Sequence, residues 1–149
     1  TAQELLRAYL DIVGVNPFAC YGASVTEDGF RGLRANRPTG WVQVVPARRE
    51  QLVEATGDPA VTYLALSLVN LFLPDLVSVE TFSSGVNVGL DGVELGEAVR
   101  AGERLRASGR VLSAGEAGGG VQVVVRVTIE ADGRDSPVCT ADTVSRFYP

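Results

Sequence analysis

Few side chains in this chain of 149 residues could do chemistry, and their types narrow what that chemistry could be. There is no histidine, lysine or methionine, and all thirteen basic residues are arginines. The polar residues that stand out lie in one greasy stretch, Asp-Pro-Ala-Val-Thr-Tyr-Leu-Ala-Leu-Ser-Leu-Val-Asn-Leu-Phe-Leu-Pro-Asp-Leu-Val, from Asp58 to Val77. Between Ala60 and Leu73 only Thr62, Tyr63, Ser67 and Asn70 are polar. Asp58 suits a helix cap and Pro59 a first helical position, where no N–H is needed. Tyr63, Ser67 and Asn70 then sit in a helix buried on most sides, either hydrogen-bonding within it or facing a ligand.

A second cluster is Arg31, Arg34 and Arg37, spaced by three. It reads as a clamp for a phosphate, such as that of coenzyme A or a carrier-protein arm, or as a solvated loop pairing with the chain's acids. Cys20 and Cys139 lie far apart without C-x-x-C spacing, which favours two free buried thiols in a reducing cytoplasm over a disulfide. No metal-ligand set, phosphate loop or nucleotide motif is present, so neither metal nor cofactor is expected. A net charge of −5 argues against nucleic acid and anionic membrane as partners, and no signal peptide or membrane span is visible. The hydrophobic fraction of 46% and mean hydropathy of +0.16 fit a well-filled core, a subunit interface or a lipophilic ligand.

Around these residues the patterning predicts an α+β domain. Thr1-Ala2-Gln3-Glu4 resembles a capping box ahead of Leu5, Leu6, Tyr9, Leu10 and Val13 at helical spacing. Residues 16–40 are irregular, with Phe18, Tyr21 and Phe30 as possible plugs. A short strand at 41–45 and a helix from Pro46 to Thr56, closed by Gly57, lead into a long central helix over 60–73, stopped by Pro74. Strands follow at 76–82 and from Val86, where Val86, Val88 and Leu90 share a face and the phase slips at Asp91-Gly92, as at a bulge. Leu105, Ala107, Gly109 and Val111 alternate with polar residues, residues 113–120 read as a flexible turn, and Val121, Val123, Val125, Val127 and Ile129 form the clearest period-two run. A turn at Asp132-Gly133 precedes a last strand at 138–148.

Ala55-Thr56-Gly57-Asp58, Leu64-Ala65-Leu66-Ser67-Leu68 and residues 82–91, Phe-Ser-Ser-Gly-Val-Asn-Val-Gly-Leu-Asp, resemble the MaoC-like dehydratases, the (R)-specific enoyl-CoA hydratase family, in its nodulation protein N-like branch. Val99-Arg100-Ala101-Gly102-Glu103-Arg104-Leu105 and the ending from Pro137 to Pro149 are similar to that family's later strands. The likeness covers 41–149, leaving 1–40 as an N-terminal helix and irregular extension. It implies a single hot-dog fold, a curved antiparallel sheet wrapped around a long central helix, usually dimeric, with an acyl-thioester tunnel beside the helix.

The resemblance also implies a catalytic Asp with a His five positions on. Here Asp58 is followed at that spacing by Tyr63, and the family's loop before the helix is missing, with Val61-Thr62 where it has His-Gly. A tyrosine with reference pKa about 10 and an Asp near 3.9 are poor bases at neutral pH, so standard hydration is not expected. The expectation is a re-used site: a tailoring enzyme, a lyase- or isomerase-type cyclase or dehydratase-like protein, acting on a polyketide or fatty-acyl thioester of secondary metabolism. Asp58 and Tyr63 are its candidate catalytic residues. Phe18, Tyr21, Phe30, Glu54, Ser67, Asn70 and Asn87 are its candidate substrate contacts, and burial would raise the Asp58 pKa. The alternative is a non-catalytic acyl-binding subunit that pairs with an active hot-dog hydratase, so either a homodimer or a heterodimer is in view.

Overall fold

The structure, a computed structural model, describes residues 30–33, 38–79 and 82–148, with 30–33 and 78–79 described by backbone alone. In chain order its elements are β1 (Phe30–Leu33), β2 (Val42–Gln43), α1 (Pro46–Thr56), α2 (Leu64–Ser67), α3 (Val69–Leu76), β3 (Val77–Val79), β4 (Ser84–Leu95), β5 (Arg104–Ala117), β6 (Gly120–Ala131) and β7 (Cys139–Tyr148). β1 and β3 form an antiparallel ribbon. The other five strands make one antiparallel sheet in the order β2-β5-β6-β7-β4. The chain crosses from the β2 edge to the β4 edge through the three helices, which puts a helical segment across one face of a curved sheet. This is the hot-dog arrangement.

Alternation decides which face that is. Val121, Val123, Val125, Val127 and Ile129 of β6 are buried, as are Leu105 and Ala107 of β5 and Cys139 and Ala141 of β7. The cross-strand register sets Val125 opposite Thr143 and Val127 opposite Ala141, so these residues share the concave face. Val69, Phe72 and Leu76 of α3 join the same cluster from the helix side. The opposite face is more polar and is laced by cross-strand pairs, Arg106 with Glu130, Arg104 with Asp132 and a bidentate Arg126 with Asp142. Trp41 lies over that face, with the Arg106 and Arg104 guanidiniums 4.5 and 5.5 Å from its ring centre. Register shifts in β4 and β5 mark bulges, which strengthen twist and help the sheet curl around the helices.

Several elements differ from expectation. The central helix does not begin at Ala60: residues 58–63 form turns, Val61 adopts a positive φ of 46°, and helix starts at Leu64. The segment breaks at Leu68, where Ser67 Oγ donates back to the Leu64 carbonyl and Leu68 N–H reaches Ala65, a tightening typical of serine in a helix. Pro74 lies inside α3, where it removes one i→i−4 bond, to the Asn70 carbonyl, and the helix runs on to Leu76. Residues 113–117 are strand, because the hairpin turn is confined to Gly118-Gly119, both with positive φ, the geometry a two-residue hairpin needs. The stretch read as irregular contains β1. The predicted N-terminal helix, Arg34, Arg37 and Cys20 lie outside the described residues; Cys139 is free and buried.

One consequence of the strand order is an uncovered edge. β4 pairs only with β7 among the described strands, and Val86, Val88, Leu90, Val93 and Leu95 along it are each 38–48% exposed. Leu90 stands opposite Thr143 and Leu95 opposite Cys139, so both look onto the concave side, where the helices leave them uncovered. No helix among the described residues is long and apolar enough to cross a membrane.

Candidate functional site

The approach to the helical segment is a pinned turn. Both Asp58 carboxylate oxygens accept backbone bonds, Oδ1 from Ala60 N–H (2.9 Å) and Oδ2 from Thr62 N–H (2.8 Å). The Asp58 pKa lies below its ordinary 3.8. The Thr62 N–H is the main cause, followed by the Thr62 side chain; burial pushes the other way, and the Ala60 N–H and the Arg49 charge add to the lowering. This reverses the expectation that burial would raise it. Asp58 is thus a carboxylate occupied in holding a turn that contains a buried β-branched residue at positive φ, a conformation that costs energy unless its surroundings fix it. Tyr63, 65% exposed, precedes α2 directly.

A second polar group bridges helix and sheet. Asn87 of β4 donates from Nδ2 to Asn70 Oδ1 on α3 (3.3 Å), and Ser145 of β7 donates from Oγ to Asn87 Oδ1 (3.3 Å). Asn87 stands opposite Ser145 in the register and so shares the concave face. The chain runs from a 7% exposed serine to two exposed carboxamides. Because Asn70 Oδ1 is taken as an acceptor, its NH2 group is left as the free end, with no protein partner among the described residues. Further along β4 on the same concave side stand the exposed Leu90 and Leu95. An oriented amide donor against an apolar wall can hold a carbonyl whose chain lies on that wall.

A groove of about 360 Å3 opens where the Asp58–Tyr63 turn meets the loop between β4 and β5, lined by Arg49, Ala60 and residues 97–101. The loop is held from behind by Arg134. Its guanidinium binds both Glu103 carboxylate oxygens (2.6 and 2.7 Å) and the carbonyls of Glu97 and Ala98, with the two side chains only 12% and 15% exposed. Burial alone would raise the Glu103 pKa, but the Arg100 N–H and the Arg134 hydrogen bond and charge outweigh it and hold it below the ordinary 4.5.

The structure brings together Asn70 and Asn87, two of the residues singled out by sequence. Ser67 is spent on its own helix, and Glu54 is exposed on α1. Phe30 lies in β1, described by backbone alone, and Phe18 and Tyr21 lie outside the described residues. Ser145, Arg49, Arg100 and the Arg134 clasp escaped notice; only the strand alternation that sets Ser145 on the inner face could have found the first. Among the described residues no three His, Cys, Asp or Glu side chains gather closely enough to hold a metal.

A depressed carboxylate pKa fixes the sign of its pH effect. Glu103 contributes stability that is present above its unfolded pKa near 4.5 and lost as pH falls through the lower folded value. Glu103→Gln should therefore be less stable than the parent at neutral pH and lose less between about pH 5 and 3 in urea melts. Parallel acid limbs for the two proteins would contradict the clasp.

No family model matches the chain. The chain is 28% identical over 112 residues to 3-hydroxyacyl-thioester dehydratase Z of Mycobacterium tuberculosis, a match that covers 72% of this chain and 71% of that protein. The protein of that name from Mycobacterium bovis matches equally. Among solved structures, an (R)-hydratase from A. caviae involved in PHA biosynthesis superposes with a TM-score of 0.56 at 14% identity, over 80% of this chain and 99% of that one. That similarity shows the fold, and the dehydratase match adds a sequence relationship spanning most of it. The chain is a hot-dog protein similar in sequence to a 3-hydroxyacyl-thioester dehydratase over most of that fold.

Proposed function

We propose that the protein binds an acyl thioester along the concave wall of β4 and fixes a carbonyl of that chain with the Asn70 carboxamide. The observation that carries this reading is the oriented Ser145–Asn87–Asn70 chain on the face of β4 that also carries the exposed Leu90 and Leu95. Hydration of an enoyl thioester needs a base that delivers water and an acid that returns a proton. The chain has no histidine, and Asp58 is depressed in pKa and committed to backbone N–H groups, so this hydratase dyad is taken to be broken. What remains supports positioning and carbonyl polarisation, which lower the barrier of a tailoring step such as cyclisation, dehydration or isomerisation of a polyketide or fatty-acyl chain, in which a side chain must still move the proton. Asp58 then has a structural part, and Tyr63, exposed beside the turn, is the remaining candidate for proton transfer.

Hexanoyl-N-acetylcysteamine, a thioester without phosphate, should bind, and Asn70→Leu should weaken it about tenfold, the scale of one hydrogen bond to a desolvated carbonyl. Hydration of trans-2-hexenoyl-CoA should stay at the uncatalysed rate. Unchanged affinity in Asn70→Leu, or hydration abolished by Asp58→Asn, would overturn the reading.

The same reading includes a second copy on β4. A twelve-residue edge strand, paired on one side only among the described strands and carrying five exposed apolar side chains, is a pairing surface, and an antiparallel partner strand would cover it and close the acyl wall. Sedimentation velocity at micromolar concentration should give a dimer, and the double variant Val86→Glu, Val88→Glu a monomer. A monomeric parent would refute the pairing.

A further inference from the structure

On the outer face of the sheet, side chains fall into rows that run from β5 to β4. In one row Arg110 stands opposite Arg126, Arg126 opposite Asp142, and Asp142 opposite Asp91. The charges read plus, plus, minus, minus over about 14 Å, three strand spacings. The middle of the row is satisfied, because Arg126 holds Asp142 through two hydrogen bonds (2.7 and 2.8 Å). Its ends are not. Arg110 and Asp91 are exposed, and neither has an ion pair among the described residues. Each stands directly opposite a residue of its own charge, which costs stability in an isolated sheet.

The rows to either side have the same property of matching their own reverse. One runs from Ser108 through Thr128 and Thr140 to the exposed Glu94, a hydroxyl at one end and a carboxylate at the other. Another runs from Gly115 through Gln122 and Arg146 to Val86. Val86 is 46% exposed, and nothing lies within 4 Å of where a Cβ on Gly115 would stand. Gly115 has no positive φ to require it, and a glycine inside a strand marks a place where another backbone comes close. A two-fold axis parallel to the strands, between β6 and β7, lays each row on its own reverse. Arg110 then meets Asp91 of the second copy, Ser108 meets Glu94, and Val86 enters the space over Gly115. Each contact occurs twice, as an isologous interface requires, and Val124 faces Val144 at the axis. The sheet curves away from that axis, so the outermost pairs need reach, which the long Arg110 side chain has. We propose that the outer face of the sheet docks on the same face of a second copy of this chain. The contact is separate from the β4 edge and independent of the acyl reading.

Sedimentation equilibrium of the whole chain at low salt, from about 1 to about 300 μM, tests this. The parent should double its mass over that range, from dimer to tetramer with the β4 edge paired and from monomer to dimer without it. Arg110→Asp or Asp91→Arg alone sets like charges over each other and should weaken the doubling about tenfold or more. Mixed in equal amounts, the two variants should associate with each other, because each supplies the charge that the other lacks. The double variant Arg110→Asp, Asp91→Arg should regain self-association. Each change removes a like-charge neighbour within the sheet, so urea melts should show subunits no less stable than the parent. A mass constant over the whole range, or single variants that associate as the parent does, would overturn the proposal. So would single variants that fail alone and still fail when mixed. Failure of the β4 pairing alone would change the starting mass and leave the doubling in place.

Discussion

The burial of α3 against the valine ridge of β6 is the contact on which the molecule depends. Phe72 and Leu76 are almost inaccessible, and Val123, Val127 and Ile129 meet the same core from the sheet. A side-chain period of two on the strand gives a continuous apolar stripe, and a helical segment apolar on most sides fills the curve above it. Once that contact is made, the alternation sends polar side chains to the outer face, and the arginine-to-acid pairs there follow from it. So does the exposed condition of β4. The sheet is wider than the helical segment that covers it, so its last strand keeps apolar residues on the concave side without a protein neighbour among the described residues.

That shortfall of cover is where the proposed acyl site lies. Asn70 reaches across the gap to Asn87, and Ser145 anchors Asn87 from the inner strand, so a polar tether crosses where packing stops. The kink at Leu68 and Pro74 inside α3 bracket Asn70 within a helix of eight residues. At the other end of the helical segment the chain enters through a turn that needs the Asp58 carboxylate to stay formed. The same aspartate cannot hold two backbone N–H groups and serve as a base near neutral pH, because those bonds stabilise its charged form and weaken it as a base.

The extent to which this was legible in the sequence varies with the range of the forces involved. The β6 valines and the phase slip at Asp91-Gly92 declared themselves, because strand alternation and a glycine at φ 54° are local signals. α1 ended at Gly57 as its left-handed cap required. The start of the central helix misled, since Asp-Pro reads as a cap and nothing in Val61 announces a positive φ; that conformation is imposed by its buried side chain and the Asp58 bonds. Ser145 was invisible as a partner because it is polar in an apolar strand position, and only its neighbour across the sheet explains it. The groove was illegible for a plainer reason. Arg49, Ala60 and the residues around Arg100 come from three separate segments, and no spacing rule links them.

The central claim is that a thioester carbonyl is held at Asn70 and not at the Asp58 turn. Side-chain and backbone amide resonances of the 15N-labelled protein, followed during titration with hexanoyl-N-acetylcysteamine, test it most directly. The account predicts that the Asn70 side-chain amide pair moves first and furthest, followed by Leu90 and Leu95 along β4, while the Ala60 and Thr62 amides that bind Asp58 stay in place. Large shifts at Ala60, Thr62 and Tyr63 with an unmoved Asn70 amide would contradict it and return the chemistry to the aspartate.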